Sequence, residues 1–272
     1  MDGFPKELLH LILNNVNIVS LLKSKLVCKD TLIVANEILC DIKIYIENKK
    51  ISDLIIENFI HIELAIKLKK FDDWNWGLYE ACWGGHRNIV NYLIKKGATD
   101  WNKGLRGTCY GGNLDIVNLM IEKGANDWNW GLYGACWSGH LNIVKYMIEK
   151  GANAWNDGLY GACEGGHLNI VILMIDKGAY YWNKGLYGAC YGGHLNIVNY
   201  MIDKGANYWN GGLYYACKGG HLAIVNLMIE KGADDWNRGL RGACLHDHQN
   251  IMFLIIEKGA DPSICNKYDI KI

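Results

Sequence analysis

Cysteine and histidine recur together in this chain at a spacing that invites a metal-site reading. Cys-x-x-x-His occurs at Cys82/His86, Cys136/His140, Cys163/His167, Cys190/His194, Cys217/His221 and Cys244/His248, and Asn113 replaces the histidine after Cys109. Zinc asks for four ligands at about 2.0–2.3 Å from one ion. A single pair supplies two of them. If successive copies form successive layers, the next pair lies about 8–10 Å away. That is too far to share an ion, and beyond the roughly 7 Å Cα limit for a disulfide. The expected chemistry is structural: small buried thiols and imidazoles bonded to backbone, with no metal and no cofactor. Ten cysteines without a local pairing pattern fit a reducing compartment. The chain has no phosphate-cradling P-loop, dinucleotide glycine motif or serine elbow. No catalytic residue is assigned, and an enzyme is not expected.

The elements that must carry these residues follow from a strict period. Trp74, Trp101, Trp128, Trp155, Trp182, Trp209 and Trp236 stand 27 apart, each followed by Asn. The unit reads W-N-x-G-L-Y-G-A-C-x-G-G-H-L-N-I-V-x-x-M-I-x-K-G-A-x-x. Asn129 is read as an N-cap, with a short helix from Leu132 to about Trp137. Gly139 ends it, and a second helix starts at His140-Leu141. Its stripe of Ile143, Val144, Met147 and Ile148 has helical period. Gly151 follows Lys150 where a helix end wants positive φ. A helix–turn–helix unit of this kind cannot bury its faces alone, so seven copies are expected to stack into an α-solenoid. The tryptophans are expected to stack layer on layer over the loop side. Glycine inside the first helix, at 107, 134, 161, 188 and 242, costs up to ~1 kcal/mol each, and close helix approach is the expected reason.

Composition agrees with an all-α chain. Proline occurs only at 5 and 262, and half the residues are hydrophobic. The 28 basic and 28 acidic residues cancel, so a nucleic-acid surface is not expected. No apolar run is long enough to span a bilayer. Asp2, Pro5, Lys6 and Glu7 interrupt the apolar core a signal peptide needs, so a cytoplasmic monomer is the expectation.

The segments Gly139-His140-Leu141-Asn142-Ile143-Val144 and Gly151-Ala152, with Leu-Tyr-x-Ala-Cys before them, resemble ankyrin repeats over residues 74–261. The usual 33-residue unit has a Thr-Pro-Leu-His motif and a β-hairpin finger; this unit is shorter and has neither. Short proline-free repeats of this kind resemble ankyrin proteins of large DNA viruses of amoebae, which implies host cytoplasm as the location. Residues 46–73 resemble a degenerate capping repeat, and 262–272 read as a polar tail.

Residues 1–45 depart from the period. Phe4, Pro5, Glu7, Leu8, Leu9, Ile12, Leu13, Leu21, Leu22, Leu26, Val27, Cys28 and Lys29 resemble an F-box, with Phe4 for the usual Leu and Asp30-Thr31 where a basic residue and Trp commonly follow. The resemblance implies docking to a Skp-family adaptor of a cullin ubiquitin ligase. An amphipathic helical cap on the solenoid is the other reading.

Two columns vary while the repeat frame stays constant. One runs Trp76, Lys103, Trp130, Asp157, Lys184, Gly211, Arg238; the other runs Trp83, Tyr110, Trp137, Glu164, Tyr191, Lys218, Leu245. The ankyrin resemblance puts both on the short-helix side, where protein partners bind. The glycine and the leucine apart, these are the expected partner-binding residues of the solenoid. Packing residues of a hairpin-less repeat are the alternative.

Overall fold

The computed structural model describes residues 74–268. The F-box-like segment and the capping segment 46–73 lie outside the described residues. The chain divides after Thr99 into two compact units. In the first, α1 (Trp74–Trp83) and α2 (Arg87–Lys96) form one helix–turn–helix. In the second, the pair recurs as α3 (Trp101–Gly111) with α4 (Leu114–Glu122), α5 (Trp128–Ser138) with α6 (Leu141–Glu149), and α7 (Trp155–Gly165) with α8 (Leu168–Asp176). It continues as α9 (Trp182–Gly192) with α10 (Leu195–Asp203), α11 (Trp209–Gly219) with α12 (Leu222–Glu230), and α13 (Trp236–Cys244) with α14 (Gln249–Glu257). No strand occurs among the described residues. The described residues have the all-α fold of a solenoid of short repeats, and no hairpin finger occurs among them.

Each copy buries the same set. In α5 and α6 these are Leu132, Ala135, Cys136, Ile143, Val144 and Met147, with Ala152 in the loop, all at 2% exposure or less. Sealing a large aliphatic side chain from water stabilises by roughly 1.5–3 kcal/mol, and neighbouring copies supply the lid. The second helices end as the glycine spacing predicts. Gly151 has φ +105°, the Gly151 N–H bonds Ile148 O, and the Ala152 N–H bonds Met147 O. This is the paired closure of a left-handed helix cap.

The start of the first helix differs from the expectation. It begins at the tryptophan, four residues before Leu132, so Asn129 lies inside the helix and is not its N-cap. The cap is the residue before the tryptophan. Asp100, Asp127 and Asp235 accept the N–H of Lys103, Trp130 and Arg238. Ala154, Tyr181 and Tyr208 occupy that place without a side-chain bond.

Within the second unit the first helices of successive copies pack directly on one another, whereas second helices mainly touch their own first helix. The row therefore closes on the first-helix side and forms an inner face there. Glycine makes this approach possible. A Cβ on Gly188 would lie 2.7 Å from Tyr160 O, and one on Gly242 would lie 2.6 Å from Tyr214 O. A Cβ on Gly192 would run into the carbonyl of Glu164. This is the reason for the helix-interior glycines.

The final copy is modified. Asp247 takes the left-handed turn at φ +55° where other copies use glycine. Part of the segment read as a polar tail is packed: Pro262–Tyr268 is a 3-10 helix, with Ile264 and Cys265 buried against the last repeat. Cys265 Sγ lies 2.8 Å from Cys244 Sγ.

Candidate partner-binding face

The invariant asparagine, once it is not a cap, has a different task. Asn156 Oδ1 accepts the backbone N–H of Tyr180 at 2.9 Å and of Tyr181 at 3.0 Å. Asn102, Asn129, Asn183 and Asn210 do the same for residues 24 and 25 positions on. In the first unit Asn75 accepts from Thr99 N. Each first helix thus holds the loop that enters the next copy, through a side-chain ladder and not a β-hairpin.

The histidine column ties adjacent copies at the other end of the helix. Nε2 of His140, His194, His221 and His248 lies 3.0–3.1 Å from the carbonyl oxygen of Tyr110, Glu164, Tyr191 and Lys218. A carbonyl only accepts, so Nε2 carries the proton. Burial lowers the His167 and His221 pKa values, against the opposing effect of these backbone bonds. Burial pushes the Cys82 and Cys217 thiols up to about 12, and Cys136, Cys163 and Cys190 further. These are poor nucleophiles and poor metal ligands. No group of three metal-ligating side chains gathers among the described residues.

The tryptophan ladder does not stack. None of Trp101, Trp128, Trp155, Trp182, Trp209 and Trp236 forms a ring pair with another aromatic. Each is half-buried, and in three copies the indole lies near the glycine that ends its own repeat: a Cβ on Gly124, Gly178 or Gly259 would be 3.9–4.0 Å from Cδ1 of Trp101, Trp155 or Trp236. Rings that do meet across copies lie on the inner face, among them Tyr133 with Tyr160 at 6.4 Å and Tyr187 with Tyr215 at 5.2 Å.

The two varying columns divide by environment. Trp76, Trp83 and Trp130 are 44%, 46% and 50% exposed, and Asp157 and Arg238 are exposed. Lys103, Tyr110, Glu164, Lys184, Tyr191 and Lys218 are half-buried. Trp137, expected beside Trp83 as an anchor, is also half-buried, its ring edge-on to Tyr110 at 5.6 Å. At Gly211 packing dictates the residue, because the Tyr187 ring occupies the space a side chain would need. In the first unit Trp76 stacks on Tyr79 at 5.4 Å, and Tyr79 lies 6.1 Å from Trp83.

A cleft of about 570 Å³ opens on the inner face of the second unit, lined by Arg106, Tyr110, Asn129, Trp130, Tyr133 and Asp157. The Arg106 guanidinium lies 4.5 Å from the Trp130 ring centroid and 5.8 Å from that of Tyr110. Farther along, Lys218 sits over Tyr191 and Arg238 over Tyr214. Arg106, Tyr133 and Tyr160 were not among the expected site residues, because the Leu-Tyr-Gly column reads as structural. The signal lay in that same column, which carries Arg106 and Arg241 in place of tyrosine. The loop tips Tyr180, Tyr181 and Tyr208, 50–62% exposed, are also absent from both columns. They too lie at positions that vary between copies.

Stacked helix pairs, a glycine-tightened inner row and exposed aromatics on it define a helical-repeat binding scaffold. Models of ankyrin repeats, each covering three copies, match residues 78–157, 132–211, 159–239 and 186–266, together well over half of the chain. The chain belongs to the ankyrin-repeat family, whose fold is typically a non-enzymatic scaffold for protein–protein interaction. Among solved structures it is similar to the human ASB11 ankyrin repeat domain, at 20% identity and a TM-score of 0.43, over 68% of this chain and 98% of that one. No curated protein matches it. No helix among the described residues is long and apolar enough to cross a membrane.

Proposed function

We propose that the chain is a target-recruiting adaptor. The inner face of the repeats holds a protein target, and residues 1–45 dock a Skp-family protein, linking the target to a cullin ubiquitin ligase. The observation that carries the first half is Trp130, half exposed over a cleft that already seats Arg106 and Tyr133. Trp, Tyr and Arg are the residues that anchor protein interfaces. The second half rests on the ordered motif from Phe4-Pro5 through Leu8-Leu9 to Val27-Cys28-Lys29. Holding the target beside the ligase raises its effective concentration there, and this chain makes or breaks no bond. In this reading residues 1–45 are an F-box-like module, 46–73 a capping segment and 74–261 the repeats, in a monomer working in a host cytoplasm.

Leu9→Asp tests the ligase half. The wild-type protein is expected to bind a Skp-family protein at micromolar concentration, and the variant to lose binding while its helical circular dichroism is retained. Absence of binding by the wild type removes the ligase half and leaves a plain protein-binding scaffold.

A further inference from the structure

The first helices of the second unit carry six cations and two carboxylates, although the whole chain is neutral. The cations are Lys103, Arg106, Lys184, Lys218, Arg238 and Arg241; the carboxylates are Asp157 and Glu164. Positive charge is therefore concentrated on the inner face. Asp157, the one carboxylate lining the cleft, is ion-paired with Lys184 at 2.5 Å. Arg106 has no carboxylate partner among the described residues, and its Nε is buried with no hydrogen-bond acceptor. The guanidinium lies over the Trp130 indole with the Tyr110 hydroxyl on one of its donors, and its remaining edge donors suit a planar, two-oxygen acceptor.

We infer that this cleft takes an aspartate or glutamate side chain of the target, presented in an extended segment, with its carboxylate on Arg106. The inference rests on the reading of the inner face as the target-binding surface. A carboxylate fits better than a phosphate group, because Asp157 on the wall of the cleft repels a second negative charge more strongly.

A display library of random dodecamers selected on the full-length protein is the probe. Selected peptides are expected to be enriched in Asp and Glu. Changing one acidic position to its amide should weaken a selected peptide about tenfold or more, the scale of a charge-assisted pair. Arg106→Gln should cause the same loss, and the two changes together no further loss. Arg106→Lys keeps the charge but not the fork and should recover only part of the affinity. Asp157→Asn should tighten acidic peptides. Thermal unfolding of each variant checks that the repeats stay folded. If no acidic peptide is selected, or if Arg106→Gln and the amide peptides bind like their parents while Trp130→Ala weakens binding, the carboxylate assignment is overturned and the face remains the binding surface. If selected peptides bind with Trp130→Ala and Arg106→Gln both silent, the reading of the face fails with it.

Discussion

Asn156 and Asp157 are neighbours on α7, yet one column holds the same residue in all seven copies and the other changes along the stack. Asn156 points to the loop side and satisfies two backbone N–H groups of the next loop. The loop geometry is the same in every copy, so the acceptor is the same in every copy. Asp157 points to the inner face and meets Lys184 from the next copy. Its counterpart Trp130 meets Arg106 from the previous one. Nothing in the frame demands a particular residue there, and the pairings differ copy by copy. Where a column is constant, a backbone group reads it; where it varies, side chains or a partner do. Gly211 marks the limit of that rule, since the Tyr187 ring fills its space.

The sharpest way to break this comparison is at the contact that lets the first helices close. By helix propensity alone, Gly192→Ala should stabilise by up to ~1 kcal/mol. The new Cβ would meet the Glu164 carbonyl, a backbone atom that cannot step aside without moving α7. Overpacking of that kind costs about 1–3 kcal/mol, sometimes more, and we expect a net loss of about 2 kcal/mol in urea unfolding. A stabilised protein would show that the inner row is loose enough to accept a side chain at Gly192.

The asparagine ladder is next in size. Asn156→Ala removes one acceptor serving two loop N–H groups, which water can partly replace. The expected cost is about 1 kcal/mol. Asn156→Asp keeps the acceptor oxygen close to a helix N-terminus, where negative charge is favoured, and should cost less than about half of that. Equal losses for the two variants would mean that the ladder acts through the amide N–H₂ group and not through its oxygen.

The histidine column gives the comparison a pH axis. Burial holds the His167 and His221 pKa values below the ordinary imidazole value. The unfolded chain then takes up protons first as pH falls, so stability is complete above about pH 6.5 and declines on acidification through the range below it. Protonation also puts an N–H on Nδ1 without removing the Nε2 donor, so the carbonyl bond survives and desolvation of the charge is the cause. Chemical denaturation at pH 7.5 and pH 5.5 should show the decline. His167→Asn with His221→Asn should flatten it, and an unchanged slope would assign the acid sensitivity to other groups.

Much of this architecture was legible from spacing. The period, the two helices per unit, the buried Leu-Ala-Cys and Ile-Val-Met sets and the glycine caps follow from local chemistry that each copy repeats. The misreadings have one physical origin. Asn129 looked like a cap because Asn prefers that place, and its true partners, the N–H groups of Asn153 and Ala154, are local only in the folded stack. The tryptophans looked like a stacked ladder because they share a period, but a shared period fixes equal spacing and not ring contact. Arg106 does not stand out as a site residue in the sequence because its column mostly holds tyrosine. Its role depends on Trp130, which belongs to the next copy.

The smallest stability effect is expected where the functional effect is largest. Trp130 is half exposed, so truncation removes little buried area. It makes an edge contact with Tyr133 at 6.0 Å and seats Arg106. A ring edge contact and a partly exposed cation–π pair each contribute on the order of 0.5–1 kcal/mol, and part of this is regained when Arg106 is hydrated. We therefore expect Trp130→Ala to lower folding stability by less than about 1 kcal/mol while weakening target binding by about 2 kcal/mol, the size of an interface anchor. Trp128→Ala, two residues away on the loop side, should reverse the pattern: its indole is half-buried and lies outside the cleft lining, so stability falls more and binding by the folded protein stays. Urea unfolding and peptide titration on the same two variants measure both quantities. If the two tryptophans lose stability and affinity in the same proportion, the division of the helix into a structural side and a recognition side does not hold.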